Sequence, residues 1–289
     1  MKPYDYLLYA TVVFGWSTSW LPLKNQLGIV APEVSLVWRF GAAALLMFVI
    51  VAARREQLRF ALDQHLFFVA LGLCLFSSNF ALFYYGGQHG ASGLMAVVFS
   101  AASLINVLML AVISRTAPRP IHLLAAIVGI MGVGLLYWPE LRGSGAALIS
   151  LLLCLGGTLF FCTGNMVSAG AQRKGIPVLG ATAWGMLYGT IFMTIISLVR
   201  GHAFIIDTNI VYIGGLLWLV VISSVLTFYS YLTLLGRIGA ARTGYATVVF
   251  PVFALLISTA FEEYQWSLYA FMGLSLVMAG NVLMVRSRS

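Results

Sequence analysis

Long apolar runs alternate along this chain with short breaks made of charged residues, proline and glycine. Ten of the runs approach the ~20 residues a helix needs to cross a ~30 Å hydrocarbon core. They lie near Tyr6 to Leu23, Glu33 to Ala52, His65 to Tyr85, Gly93 to Ile113, Ile121 to Trp138, Gly145 to Ser168, Pro177 to Val199, Ile210 to Leu235, Thr243 to Phe261 and Ser267 to Val285. None shows strand-type alternation. Only helices and closed barrels satisfy every backbone group in lipid, so the pattern predicts an all-α membrane protein, a polytopic bundle of ten transmembrane helices. The breaks leave no room for a soluble domain.

Composition agrees with the pattern. Hydrophobic residues make up 61% of the chain and charged residues 8%, and the mean hydropathy is +0.99. These values lie outside the soluble globular range. The basic residues are distributed unevenly between alternate breaks. One side collects Lys2, Arg54, Arg55, Arg59, Arg115, Arg119, Arg173, Lys174, Arg237, Arg242, Arg286 and Arg288, and the other has Lys24, Arg142 and Arg200. Short cytoplasmic loops collect Lys and Arg, so both termini are expected in the cytoplasm. The net charge of +8 then reflects topology and attraction to membrane lipids, and gives no support to nucleic-acid binding. Lys2 before an apolar stretch also fits a secretory signal, but Trp16, Trp20 and the lack of a nearby small-x-small cleavage pattern favour an uncleaved first helix.

Cys74, Cys154 and Cys162 all fall inside runs, where packing is their default role. His65, His89, His122 and His202 are far apart and show no metal-ligand spacing, so neither a metal nor a cofactor is expected. The sequence lacks GxSxG, HExxH, paired intramembrane aspartates and GxxxxGK[ST], which argues against an enzyme or an ATPase. The acids Asp5, Glu33, Glu56, Asp63, Glu140, Asp207, Glu262 and Glu263 lie in breaks or near run ends, unlike the mid-membrane carboxylate of a proton relay.

An internal repeat organises the runs. GLMAVVFS at Gly93 to Ser100 matches GYATVVFP at Gly244 to Pro251, near the start of the fourth and ninth runs, and Ser92 then aligns with Thr243. Two five-helix halves follow, residues 1–140 and 143–289. An odd number of spans per half makes the repeats inverted, an arrangement recurrent in transporters, with the substrate site near the midplane between the halves. Structural duplication without transport is the competing reading.

Several segments resemble the drug/metabolite transporter superfamily in its ten-helix EamA-like form, over essentially the whole chain. FGWSTS at Phe14 to Ser19 is similar to that family's entry to helix one, and APEVSLVWRFGAAALL at Ala31 to Leu46 to its second helix. FYYGGQHGASGLMAVVFSAASL resembles its helix three to four junction, and TGYATVVFPVFALLISTAFEE its ninth helix. Ser100 stands where the family often has proline, and Arg115 near its usual glutamate. Size and aromatic content are most similar to amino-acid exporters, particularly the YddG-type aromatic amino-acid branch. The resemblance implies an inner-membrane exporter of amino acids, aromatic and other neutral ones, and related small metabolites by alternating access through a central cavity, with multidrug or other metabolite export as the alternative. A nucleotide-sugar carrier would need several deep Lys or Arg, and a cationic-drug carrier an early mid-span glutamate.

Cavity candidates are polar or aromatic residues at helical spacing. In spans one and three they are Trp16, Ser19, Asn79, Phe83 and Tyr84; in spans four and six, Phe99, Ser103, Asn106, Phe161 and Asn165; in spans seven and nine, Trp184, Tyr188, Tyr245 and Phe250. Each has a structural reading too, in an interfacial aromatic belt or a helix-bridging hydrogen bond. Arg39 lies six residues into span two, roughly 9 Å from its end. It either reaches the outer interface or pairs with Glu33, or it faces protein, bonding helix-end carbonyls or attracting a carboxylate at the cavity mouth, where Glu262 and Glu263 are also placed. Pro251 provides a kink or a hinge in span nine. The Gly185/Gly189 pair, and Gly129 with Gly132 and Gly134, should allow close helix approach. The oligomeric state stays open, a monomer being compatible with all of this.

Overall fold

The computed structural model describes residues 2–113, 115–143, 145–262 and 264–286. Among these residues every regular element is helical. In chain order they are α1 (Pro3–Ser17), α2 (Trp20–Lys24), α3 (Pro32–Ala53), α4 (Leu62–Leu73), a π segment (Cys74–Ser78), α5 (Asn79–Gly87), α6 (Ser92–Ser100) and α7 (Ala102–Ile113). There follow α8 (Pro120–Gly143), α9 (Ala146–Arg173), α10 (Val178–Val199), α11 (Ile210–Trp218), a second π segment (Leu219–Thr227), α12 (Phe228–Phe261) and α13 (Leu268–Arg286). Among the described residues seven helical stretches are long and apolar enough to cross a membrane, from Pro32–Ala53 to Ile210–Gly239, and Val249–Phe261 and Leu268–Leu283 are shorter apolar helices. The outer faces carry exposed Leu45, Val112, Leu159, Val199 and Ile210, the surface a lipid solvent calls for. This is a multi-pass membrane protein.

Local chemistry explains where the helices depart from simple rods. The expected first span is two helices, broken at Thr18 and Ser19. The hydroxyl of Ser19 donates to the carbonyl of Gly15 while its backbone N–H turns to Trp16 O (3.3 Å), so a side chain holds the carbonyl a continuing helix would use there, and the hydroxyl of Thr18 adds to Phe14 O (2.9 Å) beside the backbone bond. In both π segments a hydroxyl reaches back five residues: Ser77 to Gly72 O (2.8 Å) and Thr227 to Ile222 O (2.7 Å). Such wide turns are frequent at functional sites. Where a loop is expected between spans eight and nine, α12 instead turns a corner at Gly239, whose φ of +79° is in the left-handed region that favours glycine. The backbone keeps helical dihedrals at Pro251, so the sharp break in this helix is at Gly239 and not at the proline.

The helices pair across the two halves of the chain. α3 packs on α10, α8 on α13, α6 on α12, α5 on α9, and α1 on both the second π segment and α12. The α8–α13 contact is backbone to backbone: a Cβ added at Gly132 would lie 2.8 Å from Gly273 O, and one at Gly280 would lie 2.7 Å from Ala125 O. Gly134 faces open space, so the close approach expected of it does not occur there.

Polar residues gather at the two ends of the bundle. At one end, which holds the start of α1, Asp5 accepts from Arg237 Nε at 2.6 Å. At the other, Lys24 pairs with Glu262 (2.8 Å), and Arg200 pairs with Glu33 (2.7 Å) with His202 3.7 Å from the same carboxylate.

Candidate functional site

The centre of the bundle is built around Trp16. Its ring lies 4.7 Å from that of Tyr231, 5.6 Å from Phe99 and from Phe228, 5.7 Å from Phe161 and 5.9 Å from Phe250. The break after Ser17 lets Trp20 face the same centre, with its ring 5.2 Å from Phe83 and nearly parallel to Phe250 at 6.3 Å. Edge-to-face pairs of this kind add ~0.5–1.5 kcal/mol each beyond area burial. Phe99 and Phe250, which the internal repeat aligns, meet at 5.8 Å.

These rings surround a cavity of about 30 Å³ lined by Trp16, Ser19, Trp20, Leu23, Arg39, Asn79, Phe80, Phe83, Phe99, Phe161, Leu219, Ser223 and Phe228. That is room for about two waters. Most of the wall is carbon. The polar groups are few: the hydroxyls of Ser19 and Ser223, the amide of Asn79, the indole of Trp20 and one guanidinium.

Arg39 is fully buried, and none of the ion pairs among the described residues includes it. Its Nε donates to Ser224 Oγ (3.0 Å) and its Nη2 to Ser223 Oγ (3.1 Å), while its charge sits 4.2 Å from the Phe80 ring centre and 5.0 Å from that of Phe40. The second π segment supplies both serines: its wider turn rotates consecutive residues less than an α-helix does, so Ser223 and Ser224 serve one guanidinium. Hydrogen bonds from a charged donor contribute ~1.5–3 kcal/mol each and a desolvated cation–π contact about 2 kcal/mol. Together they offset the ~2.5–3.5 kcal/mol insertion cost of a central arginine without cancelling its charge. Nη1 has no partner in hydrogen-bond geometry, and neither has the Tyr84 hydroxyl buried beside the guanidinium, nor Asn79 Oδ1 and Trp20 Nε1. Of the two readings of Arg39, the structure has the protein-facing one; Glu33 is engaged by Arg200 and by the Tyr85 hydroxyl.

The other sequence candidates are spread over several places. Trp16, Ser19, Asn79, Phe83, Phe99 and Phe161 line the cavity, and Phe250 stands behind Trp16 and Trp20. Tyr84 is buried beside Arg39. A second cluster is off the cavity: Ser103 bonds Asn281, and Asn165 Nδ2 donates to Tyr231 Oη (3.0 Å) and to Asn106 Oδ1 (3.5 Å). Trp184 and Tyr188 lie elsewhere, around His65. The Tyr188 hydroxyl is 3.0 Å from His65 Nδ1, and Trp184 Nε1 donates to Leu58 O at 3.0 Å. They sit toward the α3–α4 connection because α10 turns that face to the loop. Glu262 closes the far end on Lys24 and Ser92. Glu263 and the side chain of Tyr245 lie outside the described residues.

Sequence reasoning named no cavity residue in span eight, which contributes Leu219, Ser223 and Phe228. A signal was present: Ser223-Ser224 repeats the Ser77-Ser78 pair of span three.

Comparison with known proteins places this architecture among transporters. The profile of the EamA-like transporter family matches residues 4–138 and 148–286. The Uncharacterized transporter YyaM of Bacillus subtilis (strain 168) is 24% identical over 250 residues, covering 82% of this chain and 79% of that one. The Uncharacterized transporter YoaV of the same organism is 20% identical, over 93% of this chain and 92% of its own. Protein PagO of Salmonella typhimurium is 30% identical over 94 residues, 32% of this chain and 31% of that one. A solved crystal structure with 15% identity aligns with 99% of this chain and 98% of its own at a TM-score of 0.73, a likeness of fold.

Proposed function

The chain belongs to the EamA-like transporter family, and we propose that it exports amino acids with large neutral side chains, and related small metabolites, across a bacterial inner membrane. In this reading residues 1–140 and 143–289 are two inverted five-helix repeats that together make the ten spans, with both termini in the cytoplasm. The pairings α3 with α10, α6 with α12 and α8 with α13 support it, since each joins an element to its counterpart in the other half. The two π segments, one per half, support it as well.

The observation that carries the reading is the central cavity, an aromatic cage drawn from both halves with a guanidinium and an amide in its wall. An apolar chamber with a few fixed polar groups suits a solute with a large apolar body and a small polar handle. A space of about 30 Å³ does not hold such a solute, so the rings around Trp16 must separate during the cycle, as alternating access requires. Energy coupling fits facilitated diffusion or exchange, since no described acid lines the cavity. The cationic Arg39 disfavours the rival cargo, a cationic drug.

Counterflow tests this reading. Proteoliposomes holding the full chain are loaded with unlabelled phenylalanine, methionine or threonine, and entry of the labelled compound is followed without an ion gradient. Accumulation above protein-free vesicles is the expected result. Its absence, with and without an imposed proton gradient, would remove amino acids as cargo.

A further inference from the structure

We infer that Arg39 is the carboxylate ligand of the transported solute, so that the cavity selects for a free carboxylate on an apolar body and rejects the corresponding amide or amine. The inference rests on reading the central cavity as the cargo site. It assigns the substrate class by charge, which membership of the family does not do.

Among the described residues the carboxylates that form ion pairs are Asp5, Glu33 and Glu262, and all three are engaged at the ends of the bundle by Arg237, Arg200 with His202, and Lys24. The cavity wall therefore holds, among the described residues, the permanent positive charge of Arg39 and no acid, because an arginine keeps its proton under all ordinary conditions. Hydroxyls at Ser223 and Ser224 orient the guanidinium but bring no negative charge. A buried arginine with an idle N–H is costly, since a polar group removed from water without a partner loses its solvation for nothing in return.

The set of unpaired groups then defines the missing partner. Two donors, Arg39 Nη1 and Trp20 Nε1, and one acceptor, Asn79 Oδ1, are buried without hydrogen bonds, and all three side chains line the same cavity. Guanidinium and indole N–H groups both fit a carboxylate, and a charge-assisted bond to guanidinium is the stronger kind. The lone acceptor fits one donor on the solute, an amino or hydroxyl group. Positive charge on the solute finds no acid here. The carboxylate is thus the recognised group, and an ammonium is tolerated through Asn79 but not required. About two waters, which the cavity can hold, would stand in for the solute's polar atoms between cycles.

Four ligands sharing one phenyl-alkyl body separate these possibilities: 3-phenylpropanoate, phenylalanine, phenylalaninamide and 2-phenylethylamine. Their binding to the detergent-solubilised full chain is measured calorimetrically at neutral pH. The expected result is binding of both carboxylates, with the amide and the amine at least tenfold weaker, and loss of that preference in Arg39→Gln. The wild-type series does not depend on any variant folding. Ser224→Ala, which frees Nε, should weaken the carboxylates several-fold and leave the amide unchanged. Amide or amine binding within threefold of the carboxylates would overturn the inference, as would retained preference in a folded Arg39→Gln or failure of all four to bind. Carboxylate binding that depends on Arg39, together with no counterflow of amino acids, would keep the inference and discard amino-acid export.

Discussion

Two regions served by the same helix treat an arginine in opposite ways. At the rim, Glu33 in the first turn of α3 takes Arg200 at 2.7 Å and accepts from the Tyr85 hydroxyl, with His202 close by. Six residues on, about 9 Å along the axis, Arg39 has two serines and two phenyl faces but no acid. The rim is neutralised by its own residues and holds the helix ends together. The centre is solvated just enough to exist in a membrane and keeps its charge available. A carboxylate on the same helix is engaged in structure, and the charge without one lies in the wall of the central cavity.

The largest effect should come from making the centre resemble the rim. Ser223→Asp gives Arg39 an acid partner, and counterflow of a carboxylate solute should fall by about tenfold or more, equivalent to at least ~1.4 kcal/mol. The thermal midpoint in detergent should hold or rise, because a buried charge has gained a partner. A drop in both would mean that the serines, rather than the free charge, are what the site needs.

Next is the wall of the centre. Trp16→Ala removes the ring shared by Phe99, Phe161, Phe228, Tyr231 and Phe250, and by analogy with soluble cores it should cost about 3–5 kcal/mol of stability. Denaturant titration by circular dichroism measures it, and transport should fall while membrane insertion persists. Breaking the rim should show the reverse separation. Glu33→Gln removes the charge that Arg200 and Tyr85 serve and should lower stability by about 1–3 kcal/mol, leaving 3-phenylpropanoate affinity within about threefold.

The smallest effect is a pH dependence at the second rim pair. Burial pushes the Glu262 carboxyl up, but hydrogen bonds from Lys24 and Ser92, with the charge of Lys24, outweigh it and hold the group below its ordinary 4.5. A folded value lower than the unfolded one means that the stabilisation is complete above about 4.5 and is lost as pH falls through the lowered folded value. Thermal midpoints taken from neutral pH downward should decline over that window, and Lys24→Met should flatten the decline.

The sequence made some of this legible. Long apolar runs mark where helices lie, and the VVF repeat draws attention to Phe99 and Phe250, which meet at 5.8 Å. Hydroxyl-driven breaks were harder to read: Thr18 and Ser19 end one helix, whereas Thr163 bonds the carbonyl of Leu159 inside an unbroken one. A π register leaves no mark on hydrophobic periodicity, so the reach of Ser223 and Ser224 to Arg39, across more than a hundred residues of chain, could not be foreseen. Trp184 and Tyr188 lie around His65, away from the central cavity, and a helix apolar on all sides gives little sign in sequence of which face turns inward. Arg39 posed the opposite problem, since its oddness was visible in the sequence but its partners were not.

One pair of variants tests the central contrast most directly. Arg39→Gln and Arg200→Gln remove the same charge from the centre and from the rim, and each is assayed in proteoliposomes for counterflow of labelled phenylalanine against unlabelled 3-phenylpropanoate. The account predicts that Arg39→Gln abolishes exchange and Arg200→Gln retains it within about threefold, with both proteins folded by thermal denaturation. Equal losses in the two variants, or exchange preserved in Arg39→Gln, would contradict it.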